Sequence, residues 1–266
     1  MSITRNLLAS DLDGTLIPLE RTPERLAEVR TLVDALERAD GLQLAYVTGR
    51  HLALARSGIA EVGLPEPDWF VCDVGTSVYR RIDGGYEADE TYRRAMRQAL
   101  GGISAPDVQR ALGSVEGIWL QEDEKQGEFK VSYYTEGRHE RYLGRVQAGL
   151  DSAGARVALV ASYDPVSERG LLDILPADVA KDYAVRYLQK RTGVDEDGLV
   201  YAGDSGNDRA AMLAGYKAIV VGNADDALKR DLAELAATEG LATRLYFALR
   251  PYAAGVHEGL VHFGLF

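Results

Sequence analysis

Two aspartates one residue apart follow directly after the first apolar run of the chain. Asp11 and Asp13 stand just past residues 7–10, a run that predicts a buried strand. Side chains two apart on extended backbone point the same way, so two negative charges would share one small space at the carboxyl end of that strand. Such a pair needs a cation, a hydrogen-bond donor or a proton to compensate it. The competing interpretation is an ordinary turn, because Gly14 follows Asp13.

Other groups that could do chemistry also follow apolar runs. Residues 42–47 and 199–202 predict two more buried strands, and polar loops come directly after both. A predicted helix between the second and third of these strands carries a lysine. The groups expected at the strand ends are the carboxylates of Asp11, Asp13, Asp204 and Asp208, the hydroxyl of Thr48 and the ammonium of Lys181.

Carboxylate oxygens in this number favour Mg²⁺, which keeps several waters and bridges to substrate phosphate, whereas nothing in the set suits zinc. An EF-hand starting at Asp11 is excluded, because its sixth and twelfth positions would be Leu16 and Thr22. Each candidate also has a purely structural interpretation. Lys181 could be an exposed helix lysine, Thr48 could cap the next helix, and Asp208 could be a first-turn charge favoured by the helix dipole.

The predicted elements divide the chain into two modules. Strands alternate with helices up to about residue 84, and the same alternation returns after residue 174, which is typical of parallel β-α units. Between them, a helix over residues 92–100 and strand pairs without that regular alternation indicate an inserted α+β module. We therefore expect an α/β core of residues 1–84 and 174–266, with residues 85–173 inserted.

Composition excludes several classes of partner. The 266-residue chain has a net charge of −11, which disfavours nucleic acid and anionic membranes. No apolar run is long enough to span a bilayer, and the amino terminus has no signal-peptide pattern. The single cysteine, Cys72, excludes an internal disulfide and fits a reducing compartment. These features predict a cytoplasmic protein.

The chain contains four motifs in order, which are residues 11–15 (Asp-Leu-Asp-Gly-Thr), residues 47–50 (Val-Thr-Gly-Arg), Lys181, and residues 203–208 (Gly-Asp-Ser-Gly-Asn-Asp). Together they resemble the motifs of the haloacid dehalogenase (HAD) superfamily of aspartate-nucleophile phosphatases. The resemblance implies a Rossmann-like, doubly wound parallel sheet with an inserted C2B-type cap. Looser matches along nearly the whole chain resemble the sucrose-phosphate and mannosylfructose-phosphate phosphatase group of that superfamily.

The resemblance also implies roles for these residues. Asp11 would attack phosphorus and form an aspartyl-phosphate, and Asp13 would protonate the leaving oxygen and later activate water. The metal would be held by Asp11, Asp204, Asp208 and the Asp13 backbone carbonyl, with Asp208 acting directly or through water. The phosphoryl group would be bound by Thr48, Gly49, Lys181 and Asn207.

The inserted module would recognise the sugar. Residues 129–134 alternate like a strand with one exposed face, which places Gln126 just before it and Lys130 on it, within reach of sugar hydroxyls. We expect a Mg²⁺-dependent phosphatase acting on a small-molecule sugar phosphate, with sucrose 6-phosphate as the first expected substrate. The alternatives are another glycosyl phosphate such as mannosylfructose phosphate, a sugar phosphomutase, or a non-catalytic sugar-binding protein. A sugar-phosphate synthase of the same pathway is the expected partner.

Overall fold

The computed structural model describes residues 6–99, 104–164 and 167–266, which contain an eight-stranded and a four-stranded sheet. In chain order the strands are β1 (Asn6–Ser10), β2 (Leu42–Val47), β3 (Trp69–Cys72), β4 (Ser77–Ile82), β5 (Gly85–Ala88), β6 (Ile118–Leu120), β7 (Val131–Thr135), β8 (Val157–Asp164), β9 (Arg169–Pro176), β10 (Leu199–Gly203), β11 (Lys217–Val220) and β12 (Leu245–Phe247).

The larger sheet runs in the order β12-β11-β10-β1-β2-β3-β4-β5. The strands from β12 to β3 pair in parallel, and β4 and β5 add an antiparallel edge. β1 lies between β2 and β10, with Ser10 opposite Tyr46 on one side and Ala202 on the other. The loops that leave these three strands therefore start side by side at one edge of the sheet.

Helices cover both faces of this sheet. In chain order the helices of the described ranges are α1 (Pro23–Arg38), α2 (Leu52–Val62), α3 (Glu90–Ala99), α4 (Ala105–Leu112), α5 (Glu140–Ser152), α6 (Lys181–Thr192), α7 (Arg209–Met212), α8 (Asp226–Thr238) and α9 (Tyr252–His262), of which α4 and α5 belong to the smaller sheet. Helices α1, α2 and α9 pack on one face, and α3, α6, α7 and α8 pack on the other. This arrangement confirms the predicted doubly wound α/β core. Across the described ranges, none of the helices has the length and apolar character needed to cross a membrane.

The apolar run of β1 is continuous because both of its faces are covered. Leu7 and Ala9 pack in the cluster on the α6 side, whereas Leu8 packs in the cluster on the α1 side, and all three are at most 1% exposed. A strand buried on both faces needs apolar residues at every position, not only at alternate ones. The first polar side chains can therefore appear only where the strand leaves the core, and this places the two aspartates at the sheet edge.

The smaller sheet is antiparallel, in the order β6-β7-β9-β8, and α4 and α5 pack on one of its faces. We call residues 89–176, which contain this sheet and its helices, the cap. The sequence predicted a strand with one exposed face at residues 129–134. Instead, all five residues of β7 are buried, and Phe129 and Lys130 precede the strand. Its second face carries Ser132 and Tyr134, which contact the loop at residues 122–126 of the cap itself.

The structure shifts the expected module limits by a few residues. β5, at Gly85–Ala88, pairs with β4 in the larger sheet, and β9 continues through Pro176 in the smaller one. We therefore place the limits of the cap after Ala88 and after Pro176, where the sequence suggested 84/85 and 173/174. The predicted helix over residues 92–100 is found as α3, and its expected last residue, Leu100, lies outside the described ranges.

Candidate active site

The predicted polar residues gather at the carboxyl edge of the larger sheet. Asp11 follows β1, Thr48 follows β2, and Asp204 follows β10. These strands are neighbours in the sheet, so their ends meet although the residues are far apart in sequence. Lys181 reaches the same place from the first position of α6. Open α/β sheets bind their ligands at this edge.

Lys181 is fully buried and joins two of the carboxylates. Its Nζ lies 2.5 Å from Asp11 Oδ1 and 2.7 Å from Asp208 Oδ1. Burial lowers the pKa of Lys181, but the charges of Asp11 and Asp208 outweigh it, and the pKa lies above its ordinary value. The ammonium is thus held in its charged form. The interpretation of Lys181 as an exposed helix lysine is wrong.

Asp208 is the most heavily bonded carboxylate of the site. Besides Lys181, it accepts the Tyr201 hydroxyl at 2.6 Å and the backbone N–H groups of Asp204 at 3.2 Å and Ser205 at 3.1 Å. Gly203 makes room for it, since a Cβ there would lie 2.6 Å from Asp208 Cγ. Its position just before α7 agrees with a first-turn charge, but these bonds also turn it towards Asp11.

Three carboxylates are arranged as metal ligands are. One oxygen from each of Asp11, Asp204 and Asp208 lies within 4.8 Å of the others. Burial raises the pKa of Asp11 well above its ordinary value, opposed by Lys181 and reinforced by Asp208 and Asp204. Burial and the Asp208 charge likewise raise the pKa of Asp204 to about 7. A set of oxygens that repel one another in this way fits a small, hard divalent cation.

The loop after β1 supports Asp204. Gly14 has a φ of +79°, and a Cβ there would overlap the Asp204 carboxylate. Thr15 Oγ1 donates a 2.9 Å hydrogen bond to Asp204 Oδ1. Asn223 holds the loop from the other side, because its Nδ2 donates to the Gly14 carbonyl at 2.7 Å. The glycine is therefore required for the close approach of the two strand ends.

The residues predicted to bind phosphate lie around this cluster. Thr48 is fully buried, and its Oγ1 accepts the Arg50 backbone N–H at 3.1 Å. This bond caps the turn after β2, a role that is compatible with binding an anion. Asn207 Oδ1 accepts the Ser205 hydroxyl at 3.0 Å, which fixes its amide at the edge of the site. Gly49 exposes its carbonyl to the cap rather than a side chain to the site.

The side chain of Asp13 turns away from the cluster of Asp11, Asp204 and Asp208. Arg50 Nε donates to Asp13 Oδ2 at 2.7 Å, and Arg50 Nη2 donates to Asp13 Oδ1 in a second, very short bond. Both carboxylate oxygens are thus held by one guanidinium. The Asp13 side chain is 43% exposed, in contrast to the buried Asp11. The two aspartates of the motif therefore have separate surroundings, not one shared space.

Lys130 brings the cap to the same edge. It is 5% exposed, and its Nζ lies 3.2 Å from the Gly49 carbonyl oxygen and 3.5 Å from Asp73 Oδ1. Asp73 is also buried, and that Oδ1 atom has no hydrogen-bond partner. The sequence suggested a strand lysine in reach of a sugar. The structure places its charge at the turn after β2, in contact with the core.

Gln126 has a different role from the one expected. Its Nε2 donates to the carbonyls of Gln121 and Ser132 at 3.0 Å each, and its Oε1 accepts the Ser132 N–H at 2.8 Å. Both amide hydrogens are used within the cap, so the prediction that this side chain reaches sugar hydroxyls does not agree with the geometry. The amide instead fixes the loop that leads to Lys130.

The loop at residues 73–75 has a strained backbone and contacts the turn after β2, the residue before α6, and α3. Asp73 and Val74 have φ values of 53° and 59°, which are unfavourable for residues with a Cβ. Their backbone N–H groups donate to the carbonyls of Arg50 and Thr48, at 3.1 Å each. Gly75 packs against the Ala180 carbonyl, where a Cβ would lie at 2.6 Å, and its own carbonyl accepts the Tyr92 hydroxyl at 2.5 Å.

Four of the residues described above were not predicted as site residues. Arg50 belongs to the motif at residues 47–50, and its adjacency to Thr48 was the available signal. Asp73 follows the end of β3, as the predicted residues follow their own strands. Tyr201 had no distinguishing signal, since it lies inside an apolar strand. Asn223 belongs to residues 221–224, one of the looser family matches in the sequence, and that match was the available signal.

Comparison with known proteins identifies the family. The profile of the family described as sucrose-6F-phosphate phosphohydrolase matches residues 4–264. A protein of Nitrosococcus oceani named as a HAD-like hydrolase is 36% identical over 97% of this chain and 71% of its own. The mannosylfructose-phosphate phosphatase of Agrobacterium fabrum is 31% identical over 97% of both chains.

A solved structure supports the same family. The sucrose-phosphatase of Synechocystis sp. PCC6803, in complex with sucrose and phosphate, superimposes with a TM-score of 0.81 at 25% identity, over 97% of this chain and 98% of that one. The match covers core and cap together. The chain therefore belongs to the sucrose-6F-phosphate phosphohydrolase family of HAD phosphatases, and it is a sugar-phosphate phosphatase.

Proposed function

We propose that the protein is a Mg²⁺-dependent phosphatase that releases phosphate from a phosphorylated disaccharide, with sucrose 6-phosphate as the first expected substrate. The observation that carries the proposal is the buried contact of Lys181 with Asp11 and Asp208 beside Asp204. A lysine in a ring of carboxylates prepares one site for both a cation and a phosphate. Similarity to the sucrose and mannosylfructose-phosphate enzymes supports the sugar.

The proposed reaction has two displacements at phosphorus. An Asp11 oxygen attacks the phosphorus in line, the bond to the sugar oxygen breaks, and Asp13 gives its proton to that leaving oxygen. Asp13 then takes a proton from water, which attacks the aspartyl-phosphate and releases phosphate. Asp11 is restored in this second step, and one water is consumed overall.

Charge compensation makes this sequence favourable. Mg²⁺ held by Asp11, Asp204 and Asp208, with the Asp13 carbonyl as a further expected ligand, would offset the charge of nucleophile and phosphate together. Lys181 contributes a fixed positive charge between Asp11 and Asp208. Thr48, Gly49 and Asn207 are the proposed remaining phosphate ligands. Each lies at a strand end or in a turn held by its own hydrogen bonds, so little reorganisation is needed.

The cap supplies the proposed recognition of the sugar. Lys130 approaches the phosphate-binding turn from the cap, so it can contact oxygen atoms on both the phosphate and the sugar. Mannosylfructose phosphate is the second candidate substrate, favoured by the 31% identity to the Agrobacterium fabrum enzyme. We expect the enzyme to act in the cytoplasm, on the product of a sugar-phosphate synthase.

A phosphate-release screen tests the proposal. The purified protein is assayed with sucrose 6-phosphate, mannosylfructose phosphate, hexose phosphates and nitrophenyl phosphate, before and after chelation and Mg²⁺ addition. We expect the highest kcat/KM with a disaccharide phosphate, loss of activity on chelation, and recovery with Mg²⁺. Full activity after exhaustive chelation would refute the metal requirement, and an isomeric sugar phosphate in place of free phosphate would identify a mutase.

A further inference from the structure

The guanidinium of Arg50 forms hydrogen bonds with several groups of the core. Its Nε and Nη2 atoms hold the two oxygens of Asp13, as described above. Its remaining Nη1 atom donates to the Leu54 carbonyl in the first turn of α2, at 3.2 Å. The Arg50 side chain is only 20% exposed. All three nitrogens of the fork therefore have a fixed acceptor.

The absence of a side chain at Gly58 in α2 makes room for this guanidinium. A Cβ on Gly58 would overlap Arg50 Nη1 and would also lie 3.2 Å from Ile17 Cδ1. Glycine inside a helix costs about 1 kcal/mol relative to alanine, so its presence here needs a local reason. Gly58 is buried, and the space left by its missing side chain is filled by the guanidinium.

The position of Asp13 indicates a function for these contacts of Arg50. Its carboxylate is 43% exposed and has no place in the buried metal-binding cluster, so the core itself does little to fix its orientation. A proton donor must stand within hydrogen-bond reach of the leaving oxygen, and a misplacement of about 1 Å can cost about a hundredfold in rate. The planar fork of an arginine fixes both oxygens of a carboxylate at once, which a lysine cannot do.

We propose that Arg50 is a positioning residue that holds the Asp13 carboxylate in place for proton transfer to the leaving sugar oxygen. The absence of a side chain at Gly58 makes room for the Arg50 guanidinium. The inference rests on the proposed general-acid role of Asp13. Arg50 acts on the rate of the first displacement through Asp13. Three of the five N–H groups of its guanidinium are already bound to groups of the core, and we assign Arg50 to positioning Asp13 and not to binding the phosphate.

First-turnover kinetics test this directly. Release of the leaving group in the first turnover is measured by rapid quench for sucrose 6-phosphate, or the best substrate of the screen, and for nitrophenyl phosphate. Arg50→Gln should slow release of the sugar about tenfold to a hundredfold, with KM nearly unchanged. Release of nitrophenolate should change less than about threefold, because a good leaving group needs no proton.

Gly58→Ala is the second test variant, since it leaves Asp13 and Arg50 in the chain and its Cβ overlaps the guanidinium, with a milder contact at Ile17. It should give the same signature as Arg50→Gln, with a smaller loss. Arg56→Gln is the matched control, because Arg56 lies on the same helix and pairs with Glu66 at the surface. We expect no change in either rate for this control, and a melting temperature for the test variants that still indicates a folded protein.

The Asp13→Asn background separates the explanations. There, Arg50→Gln should add less than about a twofold loss, because a residue that acts through Asp13 has nothing left to position. Equal losses for both substrates, a raised KM, or additive effects of the two substitutions would overturn the inference. If Asp13→Asn itself leaves the release of sugar unchanged, the proposed general acid is wrong and the failure lies with the proposed mechanism.

Discussion

The core and the cap each bury one lysine at the same edge, and the two lysines have different partners. Lys181 of the core has two carboxylates within 2.7 Å and is fully buried. Lys130 of the cap has one carboxylate at 3.5 Å and one carbonyl at 3.2 Å, at 5% exposure. A buried ammonium is stable only where its charge is compensated.

This difference indicates how labour is divided between the modules. The charge of Lys181 is balanced before any ligand arrives, so the phosphate end of the site is assembled in advance. Lys130 and Asp73 are held beside each other with looser contacts, and Asp73 Oδ1 still lacks a hydrogen-bond partner. We therefore expect bound substrate to supply the hydrogen-bond partners that Lys130 lacks. The existing contacts of Lys181 should not change when substrate binds.

The most severe test removes the nucleophile next to Lys181. Asp11→Asn should fold but lose several orders of magnitude in kcat, because an amide cannot form the acyl-phosphate. Turnover is measured on the best substrate of the screen, with circular dichroism and the melting temperature as the control for folding. A variant that retained a tenth of the wild-type kcat would contradict the assignment of Asp11.

The core lysine gives the next largest effect. Lys181→Met should lower kcat about a hundredfold to a thousandfold on every phosphate ester, since a fixed charge beside the transferred group is lost. It also leaves Asp11 and Asp208 without their common partner, so the metal-free protein should lose melting temperature as well. Assays with sugar and aryl phosphates check the first expectation. A loss confined to sugar phosphates would break the proposed division of labour.

The cap lysine should be more selective. Lys130→Ala should lower kcat/KM for the disaccharide phosphate about tenfold to a hundredfold, the scale of one or two hydrogen bonds from a charged donor. A small aryl phosphate should be scarcely affected. Both substrates are measured in one preparation, so that damage to the fold is visible. Equal losses would indicate that Lys130 acts on the phosphate through its contact at Gly49, which would make the two lysines alike.

The mildest prediction concerns protons at the metal-binding cluster. With a pKa of about 7 in the metal-free fold, the Asp204 carboxyl keeps its proton at pH values where the unfolded chain has lost it. Unfolding then releases a proton, so the metal-free protein should lose stability as pH rises from about 4 to about 7. Metal binding also has to displace that proton.

The measurement is the rise in melting temperature on Mg²⁺ addition, which should be larger at pH 8 than at pH 6. In the limit, affinity weakens about tenfold per pH unit below the pKa, or about 1.4 kcal/mol. Asp204→Asn should reduce the pH dependence as well as the shift itself. A Mg²⁺ effect that did not change across this range would contradict a protonated Asp204 in the metal-free protein.

The sequence predicted the core far better than the cap, and the reason is geometric. Asp11, Thr48 and Asp204 could be placed because each follows a strand buried on both faces, and the ends of neighbouring parallel strands meet by construction. Burial of Lys181 does not follow from that convergence, because Lys181 lies on a helix and an exposed helix lysine was an open interpretation. The direction of Asp13 does not follow either, because it depends on a glycine in α2 that gives no signal in a helical pattern.

In the cap, the sequence did not predict which groups the polar side chains contact. Lys130 was placed on an alternating strand and Gln126 just before it, whereas one contacts the core and the other holds a loop. The outcome for Lys130 depends on how the cap lies on the core, and the outcome for Gln126 depends on the path of a cap loop, neither of which the strand pattern encodes. Asp73 was missed because its backbone is held in a left-handed conformation by bonds to the neighbouring turn.

The hydrogen bond from Tyr92 to the Gly75 carbonyl connects α3 to the helix that carries Lys181. Tyr92 belongs to α3, the first helix after the chain leaves the larger sheet, and Gly75 packs on the residue that precedes Lys181. We therefore expect a displacement of α3 to be transmitted, through this bond and the Gly75 loop, to the first turn of α6.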